Sequence, residues 1–215
     1  MGRLSERSEL MKIYLIRHGE TEWNHLMRFQ GREDVPLNEN GIAQARACGE
    51  ALAGCGIQAV YTSPLARAHQ TGRIIASCIG LPESAVTVLQ ELIERDLGEY
   101  SGQYIKDRAD YFAIAAGTDA GGMEPFSSVL ERMERGLGIL SETGYETIAA
   151  VSHGAAINVL LAGLSDGRLG TGKTKLYNGG ITILEGNREE GFRIAACNLR
   201  PREWRELRSA ESAKR

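Results

Sequence analysis

Two arginines and two histidines stand where apolar runs stop in this 215-residue chain. Arg17-His18 follow Lys12-Ile13-Tyr14-Leu15-Ile16, Arg67 follows Ile57 to Tyr61 by a short polar link, and His153 follows Thr147 to Ser152. Each short apolar run predicts a buried strand, and what comes after it predicts a helix start. In an open, mostly parallel sheet the carboxyl ends of the strands share one edge, which is where ligands sit. Two guanidinium groups and two imidazoles at one edge suit a tetrahedral dianion, because each guanidinium fork can take two oxygens at once. A histidine beside arginines is held toward its neutral form and offers a ring nitrogen as nucleophile. His25 and His69 lack such placement and are expected at the surface.

The elements that must position these groups follow from the pattern. Asn38 is a helix N-cap, with Ile42, Ala45, Gly49 and Leu52 at helical spacing behind it and Gly54 and Gly56 to stop the helix. Ser63 at the N-cap and Pro64 at the first helical position predict a second helix packed through Leu65, Ala68, Gly72, Ile75 and Ile79, with Arg67 in its first turn. An anion is favoured there by both the helix end and the side chain. Ala85 to Leu89 is a third strand, and Gln90 to Gly102 a charged loop. Gln103 to Ala116 has helical phase, and Pro125 opens an amphipathic helix with Phe126, Val129, Leu130, Met133, Leu137 and Leu140 on one face. Together these two helices are expected to form a lid at about 103–142. Ala155 to Leu164 is a buried helix, Ile181 to Glu185 and Phe192 to Cys197 form an antiparallel hairpin, and 201–215 is a charged tail, either a short helix around Trp204 or disorder.

Composition narrows the class. With 42% hydrophobic and 25% charged residues the chain is an ordinary globular one, long enough for a full core. A net charge of -3 argues against a surface devoted to nucleic acid or anionic membrane. Met1 to Leu10 has charges throughout and no apolar core, unlike a secretory signal, and no run reaches the ~18 apolar residues of a membrane span. Cys48, Cys55, Cys78 and Cys197 form no CxxC pair and are expected as buried small hydrophobes in a reducing, cytoplasmic compartment.

Leu15-Ile16-Arg17-His18-Gly19-Glu20-Thr21-Glu22-Trp23-Asn24 resembles the signature of the histidine phosphatase superfamily, which includes cofactor-dependent phosphoglycerate mutases and many small-molecule phosphatases. The resemblance continues through Phe29-Gln30-Gly31, Pro36-Leu37-Asn38, Ser63 to Ala68, Leu92-Ile93-Glu94 with Gly98 and Gly102, and Val151-Ser152-His153-Gly154. It implies a three-layer α/β/α sandwich with a mostly parallel sheet and an antiparallel edge, as one domain over 12–200 behind an N-terminal extension at 1–11. It implies that His18 becomes a phosphohistidine while Arg17, Arg67 and His153 hold the phosphoryl oxygens. Glu94 takes the family's acid position, four before a glycine, with Glu91 as its rival. Asn24, Gln30, Gly31 and the Gly154 amide are implied as further phosphate or substrate contacts. No metal and no cofactor are expected, and the partner is a small phosphorylated substrate; the oligomeric state is not legible. Where many such phosphatases read Gly-Gly-Glu-Ser, this chain reads Gly121-Gly122-Met123-Glu124-Pro125, so a substrate contact from Glu124 is not expected.

Three other readings compete with a phosphatase. The mutases are usually longer, with an insertion after the acid that carries extra arginines; this chain has only Arg95 and Arg108 nearby, so a mutase is the alternative rather than the expectation. A phosphate-binding protein without catalysis is a third class. Gly167-Arg168-Leu169-Gly170-Thr171-Gly172-Lys173-Thr174 matches the phosphate-binding loop of nucleotide hydrolases, but an apolar helix precedes it where a strand is required.

Overall fold

The computed structural model describes residues 10–105 and 120–212. Its six strands are β1 (Met11–Arg17), β2 (Ala59–Thr62), β3 (Val86–Val88), β4 (Thr147–Ser152), β5 (Ile181–Asn187) and β6 (Gly191–Leu199). They lie in the order β3-β2-β4-β1-β5-β6. The first four are parallel, while β5 and β6 run antiparallel along one side. Arg17 is in register with Ser152, and Thr62 with Val151, so the carboxyl ends of β1, β4 and β2 finish together.

Strand alternation sorts the side chains into two cores. Ile13 and Leu15 of β1 and Ile148 and Ala150 of β4 point to one face; Tyr14, Ile16, Ala149 and Val151 point to the other. Helices α4 (Phe126–Ser141) and α5 (Gly154–Leu164) cover the first face. Helices α2 (Glu39–Leu52), α3 (Ala66–Cys78) and α6 (Pro201–Ser212) cover the second. A one-turn helix, α1 (Glu22–His25), follows β1. A sheet buried on both faces is what near-continuous apolar strands require, and the expected three layers and antiparallel edge are present.

Several expectations are corrected. Met11 belongs to β1 and is 4% exposed, so the strand begins one residue before the boundary read from sequence. Ser63 does not cap α3: that helix starts at Ala66 behind Leu65, which makes no side-chain cap bond. The Ala66 N–H instead donates to Asp34 Oδ1 at 2.6 Å, a cap supplied from a distant loop. Helix α4 is not part of a lid, because Val129, Met133, Leu137 and Leu140 pack in the same core as Ile13 and Leu15. The helix expected from Gln103 to Ala116 falls largely on 106–119, outside the described residues; Gln103 to Ile105 are non-helical. The tail is a helix through Ser212, anchored by Trp204, which is 5% exposed and meets the Tyr14 ring edge-on at 5.7 Å. Cys48 is buried as expected, whereas Cys55, Cys78 and Cys197 are partly exposed.

Candidate active site

His18 is the first residue beyond β1 and is 2% exposed. Its N–H continues the ladder to Ser152 O at 3.0 Å. Its Nδ1 lies 2.6 Å from Gly19 O. A carbonyl can only accept, so Nδ1 carries the hydrogen and Nε2 keeps its lone pair. The Gly19 peptide is itself held, since its N–H donates to Thr71 Oγ1 at 3.0 Å and that hydroxyl donates to Arg67 O at 2.7 Å. Asn178 Nδ2 donates to His18 O at 3.0 Å. This loop lies flat on the start of α2: a Cβ on Gly41 would fall 2.0 Å from Glu20 O, so only glycine permits the approach. Burial, and then the charges of Arg67 and Arg17, push the His18 pKa well below its ordinary 6.5. The neutral, singly protonated ring is therefore the stable form.

The two arginines reach the same place from different strand ends. Arg67, in the first turn of α3, is 1% exposed. It donates through Nη1 to Glu33 O at 2.6 Å and through Nη2 to Gly31 O at 2.8 Å. Gly31 sits at φ +52°, a left-handed conformation that glycine adopts freely, and so turns its carbonyl onto the guanidinium. Burial lowers the Arg67 pKa to about 10, still well above neutrality. Arg17 donates through Nη1 to Leu176 O at 2.7 Å. Gly154 lies against it, where a Cβ would make ordinary contact 3.4 Å from Arg17 Nε.

His153 is the N-cap of α5 and is fully buried. Its ring centroid lies 5.0 Å from that of His18. Its Nε2 is 2.6 Å from Ser63 Oγ, and that oxygen accepts the Leu65 N–H at 3.3 Å. The hydroxyl hydrogen is then free to donate to Nε2, which puts the ring hydrogen on Nδ1. That buried Nδ1 has no partner among the described residues. Desolvation first, then Arg67, His18, Arg132 and Arg17, hold the His153 pKa well below 6.5.

Glu94 projects onto the start of the same helix. Its Oε1 accepts from the N–H groups of Arg95 at 2.8 Å and Ala156 at 2.9 Å, and its Oε2 from Ala155 at 3.2 Å. The segment carrying it is clamped by Arg132 of α4, whose Nη1 donates to Glu91 O at 2.9 Å and Ile93 O at 2.6 Å. Arg132 is in turn paired with both oxygens of Glu124, at 2.8 and 3.1 Å. The unusual Gly-Gly-Met-Glu-Pro segment thus supplies a structural carboxylate. Glu91 turns toward α4, its Cβ lying 3.1 Å from where a Gly136 Cβ would stand.

A cavity of about 140 Å³ is lined by Arg17, His18, Asn24, Gln30, Gly31, Arg67, Glu94 and Gly154, among others. Eight of the nine residues selected from sequence therefore share one wall, and His153 lies beside His18. Asn24 and Gln30 are tied to Thr21: its N–H donates to Asn24 Oδ1 at 3.2 Å and its hydroxyl to Gln30 Oε1 at 2.9 Å. Sequence reading assigned Ser63 to a helix cap and did not foresee Thr71, Asn178 or Arg132. Only Arg132 left a signal, falling three residues after Val129 and four before Gly136 on a buried helix face. His25 is exposed as expected, while His69 is half-buried with Nδ1 3.2 Å from Thr62 Oγ1.

The loop at 167–174 lies between α5 and β5 rather than between a strand and a helix, and much of its backbone bonds to itself. Its Lys173 N–H and Thr174 N–H donate to Gly170 O at 3.0 and 2.8 Å, the Gly170 N–H donates to Thr174 Oγ1 at 3.1 Å, and Lys173 Nζ donates to Gly167 O. Nor does any helix among the described residues have the length and apolarity to cross a membrane.

A neutral imidazole with a free lone pair, two guanidinium groups and a carboxyl around one small cavity are the groups that phosphoryl transfer to a histidine would use. Residues 13–200 match the profile of the histidine phosphatase superfamily (branch 1), and the chain belongs to that superfamily. It is 32% identical over 188 residues to a protein of Bacillus subtilis (strain 168) named uncharacterized phosphatase PhoE, covering 87% of this chain and 94% of that one. It is 35% identical over 163 residues to a probable phosphoglycerate mutase, GpmB, of Serratia proteamaculans (strain 568), covering 71% and 74%. Among solved structures, a mutant of phosphoserine phosphatase from Entamoeba histolytica in complex with phosphoserine superposes with a TM-score of 0.72 at 30% identity, covering 87% of this chain and 96% of that one.

Proposed function

We propose that this protein is a phosphatase that hydrolyses a small phosphomonoester through a phosphohistidine on His18. The observation that carries the reading is the state of His18: neutral, with Nδ1 bound to Gly19 O and Nε2 unprotonated, in the cavity that Arg17, Arg67 and Glu94 also line. In the first step Nε2 attacks phosphorus in line, the bond from phosphorus to the ester oxygen breaks, and Glu94 gives that oxygen its proton. In the second step Glu94 takes a proton from water, the hydroxide attacks phosphorus, and the P–N bond breaks to release orthophosphate and restore His18. Arg17 and Arg67 hold the equatorial oxygens as negative charge shifts among them, and the Nδ1–H of His153 adds a neutral donor. Asn24, Gln30, Gly31 and the Gly154 amide complete the substrate wall in this reading.

The resemblance to a phosphoserine phosphatase and the small cavity support a compact phosphorylated metabolite as substrate. We read the setting as cytoplasmic, on the cysteine usage and charge balance. A mutase is the second reading, favoured by the relative named as a probable phosphoglycerate mutase and by Arg28 and Arg95 in the cavity wall, which suit a second anionic group on the substrate. Assaying phosphate release across a panel of phosphomonoesters, beside conversion of 3-phosphoglycerate to 2-phosphoglycerate, tests the choice. Release outrunning isomerisation is expected; isomerisation outrunning release overturns the phosphatase reading in favour of the mutase. No turnover of either kind, with tight vanadate binding, leaves only a phosphate-binding protein.

A further inference from the structure

A second groove, of about 540 Å³, shares Arg17 with the catalytic cavity. Its volume is within the range of small-molecule sites, about 300–1,000 Å³. Its cationic lining comprises Arg17, Lys175, Arg200, Arg202 and Arg205, and none of its lining residues is acidic. In a chain of net charge -3 this is a local concentration, not an average property.

Three of these cations have no carboxylate within ion-pair distance among the described residues, as is true of several other surface cations, and what sets them apart is that they converge on one groove. Arg32, Arg73, Arg132, Arg188 and Arg193 each have a carboxylate within ion-pair distance. Arg202 has Glu206, at 2.8 Å. Lys175, Arg200 and Arg205 have none among the described residues. Arg200 is nonetheless fixed, with its guanidinium carbon 4.1 Å from the centre of the Tyr177 ring. The 12-residue helix α6 begins at Pro201, in the groove wall, but its N-terminal end is already met by Glu203, whose Oε2 accepts the Arg200 N–H at 2.7 Å, so the groove's charge comes from its side chains. Ala47, Leu176, Tyr177 and Pro201 supply an apolar floor.

We propose that this groove binds a small polyanion carrying two or more phosphate groups, such as a nucleoside polyphosphate or an inorganic polyphosphate. A chain of phosphates carries enough negative charge to answer several of these cations at once, and an organic part has the apolar floor to lie on. The site goes beyond the phosphatase reading and does not depend on it. It is joined to the catalytic centre by the strap Lys175-Leu176-Tyr177-Asn178: Leu176 O holds Arg17 Nη1 and Asn178 Nδ2 holds His18 O.

Isothermal titration of the full chain, its catalytic cavity first saturated with orthovanadate, tests this independently of turnover. The probes are inorganic tripolyphosphate and a non-hydrolysable ATP analogue. Both are expected to bind, with K175E/R205E weakening binding at least ~tenfold by reversing two exposed charges, and with K173A unchanged. Equal affinity for the two probes assigns recognition to the phosphate chain alone; tighter binding of the nucleotide assigns the Leu176–Tyr177 floor to its base and sugar. Unaltered thermal unfolding of K175E/R205E establishes that the fold is kept, and the salt dependence of wild-type binding is a second reading, expected to be steep. Absence of binding to the vanadate-loaded wild type, or undiminished binding in K175E/R205E, overturns the proposal.

Discussion

Replacing Arg132 by methionine removes a guanidinium on which both a core layer and the acid segment depend. The Arg132 side chain is 9% exposed and that of Glu124 is 12%, so this is a buried pair. Deleting one partner of such a pair costs about 3–5 kcal/mol, because the other charge stays buried. Two features pull the value toward the lower bound: Arg32 still stands 3.2 Å from Glu124 Oε2, and the Asp96 N–H still donates to that oxygen at 3.2 Å. The carbonyls of Glu91 and Ile93 lose their donor, which adds about 1 kcal/mol. The sum is about 4 kcal/mol, and at about 2–4 °C per kcal/mol for a chain of this size the melting temperature should fall by about 12 °C. Ile93 directly precedes Glu94, so its release shifts the carboxyl group, and kcat should drop about 10–100-fold with KM changed far less. Thermal unfolding by circular dichroism and steady-state hydrolysis of p-nitrophenyl phosphate measure the two effects. E124Q alone should show a smaller version of both, and the double variant should be little worse than R132M. A melting temperature within about 2 °C of wild type, or an unchanged kcat, would refute the clamp.

Other outcomes follow from the same geometry. Glu94→Gln keeps the shape of the side chain but cannot move a proton, and kcat should fall about 10²–10⁴-fold; hydrolysis of substrates with very acidic leaving groups should suffer least. Acid should destabilise the fold through His18 and His153. Both are held below 6.5 when folded, so below that pH the unfolded chain binds more protons and stability falls as pH drops, by about 1.4 kcal/mol per pH unit for each histidine. Urea unfolding between pH 7 and 5 checks this, and the slope should shrink in His153→Ala. Ser63→Ala removes the hydroxyl that fixes His153 Nε2, so kcat should fall while KM stays near wild type, a split that titration with substrate resolves.

What could be read from residues alone was the gathering of arginine and histidine side chains at the strand ends. Arg17-His18 and His153 were legible because an apolar run that halts on a cation marks the carboxyl edge of a buried strand, and β1 and β4 do end in register. Glu94 needed the family pattern, since a carboxylate in a charged loop carries no positional signal of its own. Ser63 was misread because Ser-Pro is a strong local helix start, whereas its hydroxyl is claimed by His153, ninety positions along the chain. Asp34 then caps α3 from a separate loop. The same non-locality hid Thr71 and Asn178, whose roles arise only once α3 and the strap before β5 meet the loop after β1. Arg132 breaks the apolar stripe of α4 at a buried position, and that conflict was the mark of its ion pair.

The central claim is that the phosphoryl group passes through His18. Acid-free quenching of the protein during turnover of a radiolabelled phosphomonoester, followed by peptide mapping under alkaline conditions that preserve phosphohistidine, tests it most directly. The geometry predicts one labelled peptide, the one containing His18, with label lost in His18→Ala together with activity and retained longer in Glu94→Gln, whose water is not activated. Label on another residue, or hydrolysis at the wild-type rate by His18→Ala, would contradict it.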